Sequence, residues 1–257
     1  MLNLAKLAWL PALKDLSDLF AAHGHELVVF GGAIRDHLLD RTPADVDVLS
    51  DARPEESSKL LEIWTGNVGD TTGPFGVVEC VHDGLLVQVV PYRTLECNTW
   101  PRPLSEIIGN NVEDHLACLD VTINTTSLRL ANLEIVDPFN GAADIENRLL
   151  RTPISPWVAV GNNSLLALRV ARFVAQFSFS VDGELVAALR DTAGGVVNGE
   201  PRFRDQLLGS ILAVEHPQKA VQFLAEVGIV EHLPSQWRRT LDEVRKLPPA
   251  SVRRSRQ

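Results

Sequence analysis

The chain has 257 residues, 45% of them hydrophobic and 22% charged, and a formal net charge of −9. That is ordinary globular material, enough for a real core in one large domain or two small ones. The acidic balance argues against a dedicated nucleic-acid binder, which carries a basic footprint. No apolar run approaches the roughly 18 residues of a membrane span, and the N-terminal stretch lacks a small-residue cleavage site. The three cysteines (Cys80, Cys97, Cys118) lack CxxC spacing, and the seven histidines show no ligand spacing. The expectation is a cytoplasmic protein with reduced thiols, no zinc site and no membrane partner.

In chain order, residues 11–22 predict an amphipathic helix with Leu13, Leu16, Leu19 and Phe20 on one face and Gly24 as its stop. Glu26 to Phe30 reads as a short buried strand, and Gly31-Gly32 turns the chain into a helix over Ala33 to Leu39. After a turn at Pro43, Asp45 to Leu49 alternates with strand period. Pro54 opens a helix that runs to Trp64. Gly76 to Val81 and Leu85 to Val90 predict two strands joined at His82-Asp83-Gly84, a hairpin signal. Pro91 to Pro103 reads as loop, 120–126 and 133–136 return to the core, and Asp137-Pro138 is a turn. From Gly161 the periodicity is helical, first through Leu165, Leu168, Arg169, Arg172, Phe173 and Gln176. Gly183 to Leu189, Arg202 to Leu212 and Gln218 to Val227 follow as further helices. The composition shift around Pro153 and Pro156 sets a boundary: a domain over 1–153, a second over 154–235, and a tail over 236–257. That tail carries Arg238, Arg239, Arg253, Arg254 and Arg256, and is expected to be partly disordered.

The chemistry concentrates in one stretch. Asp45 and Asp47 stand at i and i+2 of a strand, so both carboxylates share a face while Val46 and Val48 turn into the core. Two adjacent carboxylates repel unless a cation bridges them, and hard oxygen ligands suit Mg²⁺. Upstream, Gly31-Gly32 joins a strand to a helix, a junction whose backbone N–H groups can approach phosphate oxygens. Together these features suggest nucleotide phosphates held beside a metal pair.

Residues 28–49, VVFGGAIRDHLLDRTPADVDVL, resemble the signature of the class II CCA-adding and bacterial poly(A) polymerase family: Gly-Gly-x-x-Arg-Asp followed by Asp-x-Asp. The similarity continues colinearly through FGVVE (75–79), DVTIN (120–124), VDPFNGAADIENRLLRT (136–152), LLALRVARFVAQFSFSVD (165–182) and FLAEVGIVEHLP (223–234). The resemblance implies an α+β fold: a nucleotidyltransferase (polymerase-beta-like) head with a mixed sheet and flanking helices, then an all-helical neck. It implies two Mg²⁺ ions on Asp45 and Asp47, and CTP or ATP as the nucleotide substrate. It also implies phosphate contacts at Gly31 and Gly32, loop support from Arg35 and Asp36, and ribose-side contacts from Asp120 and Asn124. Asn163, Arg169 and Arg172 of the neck would face the nucleotide.

The departures from the family pattern bear on the substrate. Where the family places a third carboxylate, LVQVVPYR puts Gln88, and Glu79 on the preceding strand is the alternative. Cys118 and Leu119 replace two arginines, and the base-reading Glu-Asp-x-x-Arg motif becomes Asn162-Asn163-Ser164-Leu165-Leu166. Family members that act on tRNA continue into body and tail domains, whereas residues 235–257 are all that follow Pro234 here. The leading expectation is transfer of a nucleoside monophosphate from an NTP to a nonstandard acceptor, a small molecule or a short RNA. The alternatives are a pared-down RNA 3′-terminal transferase and a catalytically dead nucleotide-binding protein. Oligomeric state is not legible.

Overall fold

The computed structural model describes residues 3–66, 76–94, 109 and 111–246. Phe75, Cys97, Pro103, Arg253, Arg254 and Arg256 lie outside them. The chain divides into two compact units, Met1–Ile145 and Glu146–Gln257.

The first unit is organised by one six-stranded mixed sheet, in the order β3-β4-β2-β1-β5-β6. Helix α1 (Leu10–Ala22) buries Leu13, Leu16, Ser17 and Phe20 along one stripe and ends where Gly24 takes φ +85°. Strand β1 (Leu27–Phe30) is buried on both faces. Helix α2 (Gly32–Leu38) follows at once, then β2 (Val46–Ser50) and α3 (Pro54–Thr65), which Pro54 opens and a backbone-to-Glu56 bond at Arg53 of 3.0 Å secures. Strands β3 (Val78–His82) and β4 (Leu85–Pro91) form the expected hairpin, with Asp83 and Gly84 both at positive φ. After α4 (Val112–Ala117) come a 3₁₀ turn (Thr122–Asn124), β5 (Ser127–Arg129), β6 (Ile135–Val136) and α5 (Gly141–Asn147).

Pairing is antiparallel between β1 and β2 and parallel between β2 and β4. The period of two then assigns the faces. One face carries Leu27, Val29, Val46, Val48, Val78, Cys80, Val87 and Val89 into the main core against α1 and α3. The other carries Val28, Phe30, Leu49, Val90 and Tyr92, covered by Val112 and Leu116 of α4. Asp47, Gln88 and Glu79 have the parity of this second face. At its other end, Tyr92 Oη donates to Glu26 Oε1 at 2.6 Å and Arg129 pairs with the same carboxylate.

The second unit is helical: α6 (Pro156–Asn162), α7 (Leu166–Phe177), α8 (Gly183–Asp191), α9 (Pro201–Leu212), α10 (Pro217–Glu226) and α11 (Ser235–Lys246). It also holds a small parallel sheet the periodicity did not signal, β7 (Leu149–Leu150) paired with β8 (Ser180–Val181). That pairing ties 149–150 to the second unit, so the units part at 145/146 where composition placed the boundary at 153/154. The tail expected over 236–257 is helix α11 as far as Lys246. Leu241 is fully buried and Trp237 Nε1 donates to Asp205 Oδ1 at 2.8 Å, an apolar edge with i, i+4 spacing inside a basic segment. Among the described residues no helix is long and apolar enough to cross a membrane.

Candidate active site

The open end of the second sheet face gathers the carboxylates. Asp47 is the second residue of β2, beside Phe30 of β1 on one side and Gln88 of β4 on the other. Asp45 precedes the strand by one residue, where the sequence placed it inside. Its charge nonetheless acts on Asp47. Burial, and then the neighbouring Asp45, push the Asp47 carboxyl up from 3.8 to about 6, against the opposing pull of Arg93. A carboxylate so destabilised has a standing demand for positive charge.

Gly31 sits at the end of β1 with φ +70° and ψ −132°, a conformation open to glycine and strained for any side chain. A Cβ there would stand 3.8 Å from Asp47 Oδ2, so the turn passes directly beside the carboxylate. The Gly31 N–H is itself engaged, donating to the Asn124 carbonyl at 3.2 Å.

Behind the turn lies a nearly buried polar chain. Arg35 forks onto Asp36 Oδ1 through Nε (2.9 Å) and Nη2 (2.8 Å), and its Nη1 donates to Asn124 Oδ1 at 2.8 Å. Asn124 Nδ2 donates to Asp120 Oδ1 at 2.9 Å, which also accepts the Val121 N–H. Arg35, Asp120 and Asn124 are each 9% exposed. Both ends of the Asn124 amide are therefore committed to the protein, and Asp120 with Asn124 braces the glycine turn through Arg35.

A second layer fixes that brace. Asp137 accepts from Gly141 N (2.7 Å) and Ala142 N (3.0 Å) at the start of α5, and Asp144 accepts from Thr122 Oγ1 at 2.5 Å. Gly141 packs so tightly on the turn that a Cβ would fall 2.1 Å from the Thr122 carbonyl oxygen. The VDPFNGAAD segment thus locks the 122–124 turn, which in turn sets Asn124 and Gly31.

The register also settles the direction of Glu79. It pairs with Gln88 across β3 and β4, and Gln88 Nε2 donates to Glu79 Oε2 at 3.1 Å. Asp47, Gln88 and Glu79 form one row across three strands. Two further residues of the site carry little signal in the sequence. Arg93 lies beyond β4 with its charge felt at Asp47, and the only signal for it was its place in the PYR segment after the strand. His115 of α4 is buried edge-on against Phe30 at 5.1 Å between ring centroids and near Arg93, and no pattern in the sequence marked it.

The oxygen donors of Asp45, Asp47 and Gln88, with the Asp47 carboxyl raised by burial and by Asp45, fit a hard divalent cation. Among the described residues no group of three His, Cys, Asp or Glu side chains converges as a metal site. In the second unit, Asn163 precedes α7 and its Oδ1 accepts the Leu165 N–H at 3.1 Å, so that oxygen holds the turn into the helix. Arg169 and Arg172 lie half-buried one turn apart on α7, with the Arg172 guanidinium 5.0 Å from the centroid of the Phe173 ring.

Residues 27–151 match the family model described as the poly A polymerase head domain. The chain is 30% identical over 213 residues to the CCA-adding enzyme of Geobacillus thermodenitrificans, covering 82% of this chain and 52% of that one. It is also 30% identical over 237 residues to the CCA-adding enzyme of Streptococcus thermophilus, covering 89% of this chain and 57% of that one. Among solved structures, the Bacillus stearothermophilus CCA-adding enzyme in complex with CTP superposes with a TM-score of 0.78 at 24% identity, over 89% of this chain and 54% of that one. The Thermotoga maritima CCA-adding enzyme complexed with tRNA gives 0.74 at 19% identity, over 93% of this chain and 57% of that one. At these identities the solved structures speak to the fold. The chain spans about half the length of the curated relatives it matches.

Proposed function

We propose that this chain, which matches the poly A polymerase head domain over residues 27–151 and is similar over most of its length to CCA-adding enzymes, transfers a nucleoside monophosphate from ATP or CTP to the 3′-hydroxyl of an RNA. The observation that carries the reading is the Asp45/Asp47 pair beside a glycine turn that is braced from behind by two layers of hydrogen bonds. Positioning and charge stabilisation are what phosphoryl transfer needs from a protein. RNA as the acceptor class draws its support from the curated relatives at 30% identity, which are CCA-adding enzymes. This replaces the nonstandard small-molecule acceptor expected from the sequence, for which neither the head nor the relatives supply a supporting observation.

In the proposed reaction the acceptor hydroxyl gives its proton to solvent water as its oxygen attacks the α-phosphorus, the bond from that phosphorus to the β-phosphate bridging oxygen breaks, and pyrophosphate leaves. Asp45 and Asp47 would hold divalent cations with their carboxylate oxygens, and the chemistry supplied there would be Lewis acidity toward the attacking hydroxyl and positive charge against the triphosphate. The Gly31-Gly32 turn, free of side chains, lets phosphate oxygens come close to Asp47. Arg93 adds positive charge on the same side, favouring an anionic ligand there. Within the neck itself, Asn163, Arg169 and Arg172 are the residues that the family resemblance proposes for the nucleotide, with the Asn163 amide nitrogen as its polar group. The neck lacks the Asp and Arg base readers of the family, so a looser choice between C and A is expected.

The test is incubation with Mg²⁺, α-labelled CTP or ATP, and tRNA trimmed of its 3′ end, followed by gel separation. Label on RNA supports the reading. Label only on small-molecule products from an added cell extract would overturn the acceptor assignment, and bound nucleotide without transfer would overturn the activity.

A further inference from the structure

Gln88 is a neutral residue where the resemblance implies a carboxylate, and Glu79 stands beside it on the neighbouring strand. Their geometry links them. The parallel pairing of β2 with β4 sets Gln88 directly beside Asp47, and the antiparallel pairing of β4 with β3 sets Glu79 directly beside Gln88. Side chains opposed in this way start about 5 Å apart at Cβ, within reach of a shared contact.

Gln88 can present either its amide nitrogen or its carbonyl oxygen to a neighbour. An ionised carboxylate only accepts, so Glu79 selects the nitrogen, as the 3.1 Å contact from Nε2 to Glu79 Oε2 records. The two ends of a planar amide diverge, so fixing the nitrogen toward β3 turns the carbonyl oxygen toward β2 and Asp47. The opposite orientation would set the carbonyl against the Glu79 carboxylate and an N–H donor against Asp47, where it would compete with a cation.

We infer that Glu79 is a positioning residue for the cation site: it locks the Gln88 amide so that the Gln88 carbonyl oxygen joins Asp45 and Asp47 as a third, neutral oxygen ligand. The inference rests on the reading of Asp45 and Asp47 as cation ligands.

The test is a Mn²⁺ titration of the full chain without nucleotide, free Mn²⁺ being read by electron paramagnetic resonance. Glu79→Gln removes the instruction to the amide and is expected to weaken Mn²⁺ binding on the order of tenfold, the scale seen when the group orienting a metal ligand is lost. Gln88→Ala is expected to lose at least as much, and Glu79→Gln added to Gln88→Ala to lose nothing more. The exchange Glu79→Gln with Gln88→Glu restores a donor–acceptor pair and is expected to bind Mn²⁺ at least as tightly as the native chain, a rescue that a merely structural role would not give. Equal weakening by Glu79→Gln in the native and Gln88→Ala backgrounds would overturn the inference, because Glu79 would then act by its own charge. So would Mn²⁺ binding that depends on Asp47 and ignores Glu79. Binding that Asp47→Ala leaves unchanged would instead overturn the cation reading itself, and this inference with it.

Discussion

Asn124 separates the structural account of the glycine turn from the role its motif implies. The side chain is 9% exposed, with Oδ1 accepting from Arg35 at 2.8 Å and Nδ2 donating to Asp120 at 2.9 Å. Asn124→Ala deletes both bonds. Each involves a charged partner, and such bonds contribute about 1.5–3 kcal/mol apiece. Arg35 keeps its fork on Asp36, and Asp120 keeps the Val121 N–H, so the combined loss falls at the lower end, about 3 kcal/mol. For a unit of this size that is a drop of roughly 6–12 °C in melting temperature. Calorimetry on the metal-free, nucleotide-free protein reads it in the transition of the first unit. Asn124→Asp keeps the Arg35 contact but sets a carboxylate against Asp120, and is expected to lose a similar amount. A loss below about 1 kcal/mol in Asn124→Ala, with turnover reduced only through the nucleotide KM, would refute the brace and return Asn124 to the nucleotide.

Gly141→Ala must displace the Thr122 carbonyl 2.1 Å from its new Cβ; a loss of about 1–3 kcal/mol is expected in urea melts. Gly183→Ala, with nothing within 4 Å, is expected to change stability by less than about 0.5 kcal/mol in the same melts. His115 is held neutral by burial and by nearby Arg93, which bring it from 6.5 down to about 3. Its depressed value means the unfolded chain takes the proton first, so its contribution is intact above pH 6.5 and lost as pH falls toward 3. Between pH 6.5 and 4.5 that amounts to about 2 kcal/mol, which His115→Leu should remove from the pH profile of urea unfolding. Leu116→Ala, fully buried against the site-bearing face, is expected to cost about 2–5 kcal/mol by thermal melting.

Much of the first unit was legible because its signals are local. Strict alternation marked β2, Asp83-Gly84 marked the hairpin, and Gly31-Gly32 marked a turn that a positive φ requires. What escaped depended on partners distant in sequence. Helix α4 spans six residues, too few for a helical period, and is held by its Asn111 cap and by burial of Val112 and Leu116. Strands β7 and β8 are two residues each and exist only because they find one another. Trp237 and Leu241 were overlooked among arginines, although the contact with Asp205 makes that stretch a docked helix. In the site, the residue types were readable while their tasks were not. Asp120 and Asn124 carry a motif that the resemblance places on the nucleotide side, yet Asn124 is bonded inward to Arg35 and to Asp120. The direction of Glu79 needed the strand register, which no single segment contains.

The most direct test of the central claim is single-turnover transfer from α-labelled CTP or ATP to trimmed tRNA, comparing the native chain with Asp47→Asn across a Mg²⁺ titration. Asp47→Asn keeps the shape of β2 and removes one carboxylate from the cation pair. The account predicts Mg²⁺-dependent labelling of RNA by the native chain and a loss of at least about a thousandfold in Asp47→Asn that added Mg²⁺ does not restore. Labelling by Asp47→Asn at the native rate would contradict it.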